Sequence, residues 1–261
     1  MVRLGFSDTG QLDADAVVLL GGIGTQRDIW SPQVEALSTR FRVISVDLRG
    51  HGDFEIPEPP YSIQGLGEDV LRLLVELEVG SFSFCGLSLG GMVGIWLASQ
   101  PHSPVNKLVV SGSPVQIRKE DWDKRAKDVC REGMKPLVQP AMDRWFSPEF
   151  RASNPDIVAQ VARRMEATSP VGYAGCCAAI ANLDIERRLA DITAPTLLIR
   201  GDLDRAVSGA DLESIAARLT GAGTTVRVVT IAGAAHLVNV ESPGHFTAVL
   251  EEHLQGVDTT G

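Results

Sequence analysis

Three polar residues far apart along the chain, Ser88, Asp204 and His236, have the types and surroundings that nucleophilic catalysis needs. A serine hydroxyl is a poor nucleophile alone. It requires a base to take its proton and a third group to orient that base. Ser88 lies in Gly86-Leu87-Ser88-Leu89-Gly90, after the strand-like Phe82–Cys85 and before a helix-like stretch reaching Gln100. This is the G-x-S-x-G pattern in its strand–turn–helix context, where glycines let the two backbones close on a strained turn. The helix N-terminus behind the hydroxyl favours developing negative charge. His236 follows the strand-like Val226–Ile231 in a loop of small residues, Ala232-Gly233-Ala234-Ala235. Asp204 follows Thr196–Arg200 in Gly201-Asp202-Leu203-Asp204, with Asp202 as the competing carboxylate. Asp204 is preferred because the first position of such a loop more often caps or turns the chain.

An acyl transfer also needs two N–H donors aimed at the developing oxyanion. Leu89, next to the nucleophile, supplies one. The other is expected from Gly21-Gly22-Ile23-Gly24, after the strand-like Val17–Leu20, with Ile23 as donor. The same loop has a rival reading. Gly22-x-Gly24, with Asp47 ending the next strand, is half of a dinucleotide fingerprint. The third glycine of that fingerprint is replaced by Arg27, and a serine triad accounts for more residues.

These groups must be delivered by a scaffold. Near-continuous apolar runs at Val17–Leu20, Arg42–Val46, Phe82–Cys85, Lys107–Val110, Thr196–Ile199 and Val226–Val229 read as strands covered on both faces of a parallel sheet. Amphipathic stretches at Pro32–Arg40, Ile63–Glu78, Gly90–Gln100, Ala210–Leu219 and Pro243–Leu254 lie between them and at the end, giving an α/β fold with a mostly parallel central sheet. From Pro114 to about Leu189 no strand-like run occurs. That segment, 114–189, is expected to be a helical cap over the carboxyl edge of the sheet, with 1–113 and 190–261 forming the core.

Composition removes other classes. Of 261 residues, 24 are basic and 33 acidic, so the net charge is −9, which disfavours nucleic acid and anionic membrane surfaces as partners. No apolar run approaches the ~20 residues of a membrane span, and no signal peptide is visible at the N-terminus. The four cysteines and five histidines show no metal-ligand spacing. The expectation is a cytoplasmic protein with no cofactor and no metal, its adjacent Cys176 and Cys177 reduced in a core or cap helix. His51 is expected to shape a turn, Trp96 to be core, and His102, His245 and His253 to sit on exposed helix ends.

The first part of the cap differs in charge from the rest. Residues 118–144 hold eight basic and six acidic residues in an otherwise acidic chain. Most are expected to pair at i,i+4 on a solvated helix face, leaving one or two free to hold an anionic substrate.

The order Ser…Asp…His and the elbow resemble those of α/β-hydrolases over nearly the whole chain. More narrowly, four stretches resemble bacterial 3-oxoadipate enol-lactonases: Phe84–Met92; Trp122 and Arg125 leading to Gly133-Met134; Arg144-Trp145-Phe146 with Phe150; and Gly172–Ile180. Two departures stand out. Asp53-Phe54-Glu55 follows Arg49-Gly50-His51-Gly52 where these enzymes usually have a residue and then serine, which adds charge near the mouth of the site. The oxyanion loop reads Gly-Gly-Ile-Gly rather than Asn-Ser-Leu-Gly. The resemblance implies opening of a carboxylate-bearing enol-lactone through an acyl-enzyme, with Trp122, Arg125, Arg144 and Trp145 as candidates to hold the carboxylate. Competing readings keep the fold and change the role: a carboxylesterase or thioesterase, a carbon–carbon bond hydrolase, or a non-catalytic small-ligand receptor.

Overall fold

A computed structural model describes residues 3–52 and 55–256. Seven strands form one sheet: β1 (Phe6–Thr9), β2 (Ala16–Leu20), β3 (Arg42–Val46), β4 (Phe82–Leu87), β5 (Val105–Ser111), β6 (Thr196–Gly201) and β7 (Val226–Ile231), in spatial order β1-β3-β2-β4-β5-β6-β7. Every neighbouring pair is parallel except β1 with β3. The six apolar runs are the six parallel strands, and β2 and β3 are buried along their full length, as strands covered on both faces must be. The sequence reading missed β1. It is an edge strand of sequence Phe-Ser-Asp-Thr, half exposed, so it carries no apolar run, and its Asp8 pairs with Arg42 at 2.7 Å.

Helices α1 (Ser31–Leu37), α2 (Ile63–Glu76), α3 (Leu89–Ala98), α4 (Lys119–Glu132), α5 (Lys135–Trp145), α6 (Pro148–Ser153), α7 (Pro155–Glu166), α8 (Pro170–Ala181), α9 (Gly209–Gly221), α10 (Val238–Glu241) and α11 (Pro243–Gln255) complete the fold. Several begin where serine side chains accept an otherwise unpaired backbone N–H: Ser62 from Gly65, Ser147 from Phe150, Ser169 from Gly172 and Ser208 from Asp211. Helices α4 to α8 fill the strandless stretch, α4 against α8 and α5 against α7. Trp96 is buried against Gly67, and Cys176 and Cys177 are buried in α8. His102 and His245 are exposed, but His253 is buried at 6% exposure, contrary to expectation. It shares the inner face of α11 with Phe246, Val249 and Leu250, which it follows at helical spacing. Among the described residues no helix is long and apolar enough to cross a membrane.

The chain runs from β2 outward to β3 and then returns across β2 to β4. The loops after β2 and β4 therefore leave the sheet side by side at the point where strand order reverses, which is where open α/β sheets form their ligand crevice.

Candidate active site

Ser88 is the single residue between β4 and α3, at φ 55 and ψ −117. Side chains rarely adopt this backbone region, and holding one there costs about 1–3 kcal/mol. Neighbours enforce it. The Ser88 N–H donates to the Ser111 carbonyl at 2.8 Å, and the Ser113 hydroxyl donates to the Ser88 carbonyl at 2.7 Å. Gly90 closes the turn against β2, for a Cβ there would lie 2.1 Å from the Leu20 carbonyl oxygen. Leu89 opens α3, so its N–H belongs to the helix's first turn and has no carbonyl of its own to reach. On the other side, a Cβ on Gly22 would stand 3.0 Å from Ser88 Cβ, which places the Gly21–Gly24 loop in contact with the serine. Of the two expected donors, Leu89 follows the serine directly and Ile23 lies in the loop that touches it.

His236 and Asp204 come together from the ends of β7 and β6. Asp204 Oδ2 and Oδ1 lie 3.0 and 3.2 Å from His236 Nδ1, and Oδ1 also accepts the Ala206 N–H at 2.7 Å. Burial pushes the Asp204 carboxyl up, but the His236 charge and hydrogen bond, with the Ala206 amide and Arg200, hold it below its ordinary value. Asp202 has a different task. Its Oδ1 accepts the Gly233 N–H at 2.7 Å and ties the two loops together. Glu241, which the sequence reading passed over, accepts the Ala235 N–H at 2.5 Å and the Ser147 N–H at 2.8 Å, fastening the histidine loop to the cap. Gly112 touches both members of the Asp204–His236 pair, while its neighbours Ser111 and Ser113 hold Ser88. Ser88 and His236 face the same cavity, and the hydrogen bond that would join them is absent among those of the described residues. Such contacts commonly close only on a bound reactant.

That cavity, of about 360 Å³, is lined by Ser88, Ile23, Asp204 and His236 from the strand ends and by Trp122, Arg125, Arg144, Trp145 and Tyr173 from α4, α5 and α8. All four expected substrate contacts face it, with Tyr173, Arg118, Asp121 and Arg205 in addition. The cations of α4 and α5 divide into two groups. Lys119, Lys124 and Arg131 pair with Asp123, Asp128 and Glu132 on the exposed face of α4. Arg125 and Arg144 form no salt bridge with any described carboxylate; Arg125 lies over the Trp122 ring, 4.5 Å from its centroid. The Arg144 pKa is lowered by burial and by the nearby Arg125 charge. Burial also raises the Tyr173 hydroxyl to about 12, so it stays neutral. Two guanidinium groups without a salt bridge to any described carboxylate, beside a neutral phenol, could hold an anion. Of the charged Asp53-Phe54-Glu55 stretch, Asp53 and Phe54 lie outside the described residues and Glu55 is exposed. Asp47, the acid of the rival dinucleotide reading, is buried and accepts the Arg27 N–H at 2.6 Å.

His51 does more than shape a turn. It is 1% exposed, its Nδ1–H donates to the Arg49 carbonyl at 3.2 Å, and its Nε2 accepts the Gly24 N–H at 2.8 Å. Burial lowers its pKa from 6.5 to about 4, with the Arg49 carbonyl opposing. The folded protein therefore keeps this ring neutral while an unfolded chain protonates it below about 6.5. The resulting stability is complete above that pH and drains away as pH falls toward 4. Between about pH 7 and pH 4.5 the wild type is expected to lose roughly 2–3 kcal/mol more than His51→Gln, as read by urea titration. Equal losses would place the acid sensitivity elsewhere.

Comparison with known proteins agrees with this architecture. The profile of the alpha/beta hydrolase family matches residues 17–249. The chain is 34% identical over 251 residues to 3-oxoadipate enol-lactonase 2 of Acinetobacter baylyi, covering 96% of this chain and 92% of that one. It is 32% identical over 249 residues to 3-oxoadipate enol-lactonase 1 of the same organism, covering 95% and 91%. Among solved structures it is similar to the enol-lactonase from Burkholderia xenovorans LB400, with TM-score 0.92, 33% identity and 97% of both chains covered.

Proposed function

The chain belongs to the alpha/beta hydrolase family and has its fold, and on that premise we propose that it opens a carboxylate-bearing enol-lactone through an acyl-enzyme on Ser88. The substrate is 3-oxoadipate enol-lactone or a close analogue. The observation that carries this reading is the placement of Arg125 and Arg144, neither in a salt bridge with a described carboxylate, in the same cavity as Ser88 and His236.

The steps follow from the geometry. His236 takes the Ser88 proton as Oγ attacks the lactone carbonyl, and Asp204, bonded to Nδ1, stabilises the imidazolium. Leu89 and Ile23 N–H groups receive the oxyanion. Ring opening expels an enolate, a better leaving group than an alkoxide, which His236 protonates and which then ketonises to the oxo acid. Water activated by the same histidine releases the dicarboxylic product. The free carboxylate of the substrate rests between Arg125 and Arg144 throughout, as a charge-assisted pair in a partly desolvated site. A cytoplasmic role in aromatic catabolism fits a substrate of this class.

Assay of the purified protein on 3-oxoadipate enol-lactone and on neutral aryl esters tests the proposal. The lactone is expected to be preferred in kcat/KM, and equal or faster turnover of neutral esters would contradict a carboxylate-reading cap. Arg144→Ala is expected to lower kcat/KM for the lactone by roughly 10- to 100-fold, the worth of one charge-assisted contact, and to leave the neutral ester nearly unchanged. Matching losses on both substrates would remove the anion clamp.

A further inference from the structure

The loop Arg49-Gly50-His51-Gly52 contributes no atom to the substrate cavity, yet it is pinned from three sides. Arg49 forms a two-pronged ion pair with the buried Asp69 of α2, Nε to Oδ2 at 2.6 Å and Nη2 to Oδ1 at 2.7 Å. Gly50 abuts Gly172 of the cap helix α8, where a Cβ on Gly172 would stand 2.3 Å from the Gly50 carbonyl oxygen. His51 reaches the Gly21–Gly24 loop through its 2.8 Å bond from the Gly24 amide.

That last contact fixes the loop beside Ser88. Two consecutive amides, Ile23 and Gly24, leave the end of β2. They follow Gly22, which abuts the serine, and the Gly24 amide ends on imidazole nitrogen. Gly24 also packs against Trp145 and Tyr173, with Cβ-position distances of 3.2 and 3.3 Å, so it has little room to shift. The Nδ1–H bond to Arg49 leaves the lone pair on Nε2, the only arrangement that can accept the Gly24 N–H.

We infer that His51 is a positioning residue for the reaction: by accepting the Gly24 amide it holds the oxyanion loop so that the adjacent Ile23 N–H stays aimed at the reacting oxygen. This rests on the serine-nucleophile reading above. It adds a function for a residue that touches neither substrate nor nucleophile.

The test uses p-nitrophenyl acetate, a neutral ester indifferent to the cap arginines, with wild type, Ser88→Ala, His51→Leu and His51→Gln. Leucine removes the acceptor; glutamine can return an oxygen near the Nε2 position. His51→Leu is expected to lower kcat by roughly 10- to 100-fold, less than full loss of an oxyanion donor, with KM little changed. His51→Gln is expected to recover most of that loss. An unchanged kcat in His51→Leu, or equal loss in both variants, overturns the inference while leaving the nucleophile in place. Activity surviving in Ser88→Ala overturns the serine reading and this inference with it. If His51→Leu does not fold, nitrogen NMR of the wild-type protein decides. The expected spectrum has the His51 proton on Nδ1 and a through-bond coupling from Nε2 to the Gly24 amide; a proton on Nε2 overturns the inference.

Discussion

Alanine at position 88 is expected to lower turnover by roughly 10⁴-fold or more while the fold stays intact. The loss should fall almost wholly on kcat, because the hydroxyl forms and breaks bonds but contributes little to holding the substrate. Adding His236→Ala to Ser88→Ala should cost little more, since a nucleophile and its base act as a unit. Stability offers an independent check. Ser88 sits at positive φ because β4, α3 and the Ser111 and Ser113 contacts leave no other course for the backbone. Glycine adopts that conformation without strain, so Ser88→Gly should be inactive yet about 1 kcal/mol more stable than Ser88→Ala. Steady-state kinetics and urea unfolding measure both parts. Near-normal turnover in Ser88→Ala would remove the nucleophile.

Asp204→Asn is expected to lower kcat by roughly 10³- to 10⁴-fold through the wrong imidazole tautomer. The reason lies in the second contact of this carboxylate. Oδ1 accepts the Ala206 N–H at 2.7 Å, which an asparagine oxygen would continue to do. Its amide NH2 would then occupy the Oδ2 position, 3.0 Å from His236 Nδ1, and donate where a carboxylate accepts. The imidazole would answer by carrying its proton on Nε2, the atom that must take the serine proton. Asp202→Asn should remain close to wild type, because its oxygen can still accept the Gly233 N–H. The two variants compared under one assay separate the neighbouring acids. A larger loss at Asp202 would reverse their roles.

What was legible in the sequence was whatever depends on local pattern. Five of the six apolar runs, β2 to β6, are strands because burial on both faces demands continuous hydrophobicity, while β7 keeps its run although it is a half-exposed edge strand, and Gly86–Gly90 reads as a tight turn because short-range crowding requires those glycines. Strand β1 was hidden because an edge strand paired on one side needs no such run. His253 is buried because it lies on the face of α11 that carries Phe246 and Leu250, which its position near the helix end does not reveal. The role of His51 was invisible for a different reason. Its partner, Gly24, is 27 residues away and offers only a backbone amide, which leaves no trace in side-chain types. Sequence alone does not separate Arg125 and Arg144 from the paired cations of α4, because the pairing depends on which carboxylates each side chain reaches in the folded chain.

The most direct measurement is an intact-mass and peptide analysis of the protein after reaction with a fluorophosphonate ester, which forms a stable bond only to an activated serine. The expected result is one adduct per chain, on the peptide containing Ser88, formed by the wild type and lost in Ser88→Ala. An adduct on another residue, or no adduct in a preparation that still hydrolyses lactone, would contradict the acyl-enzyme.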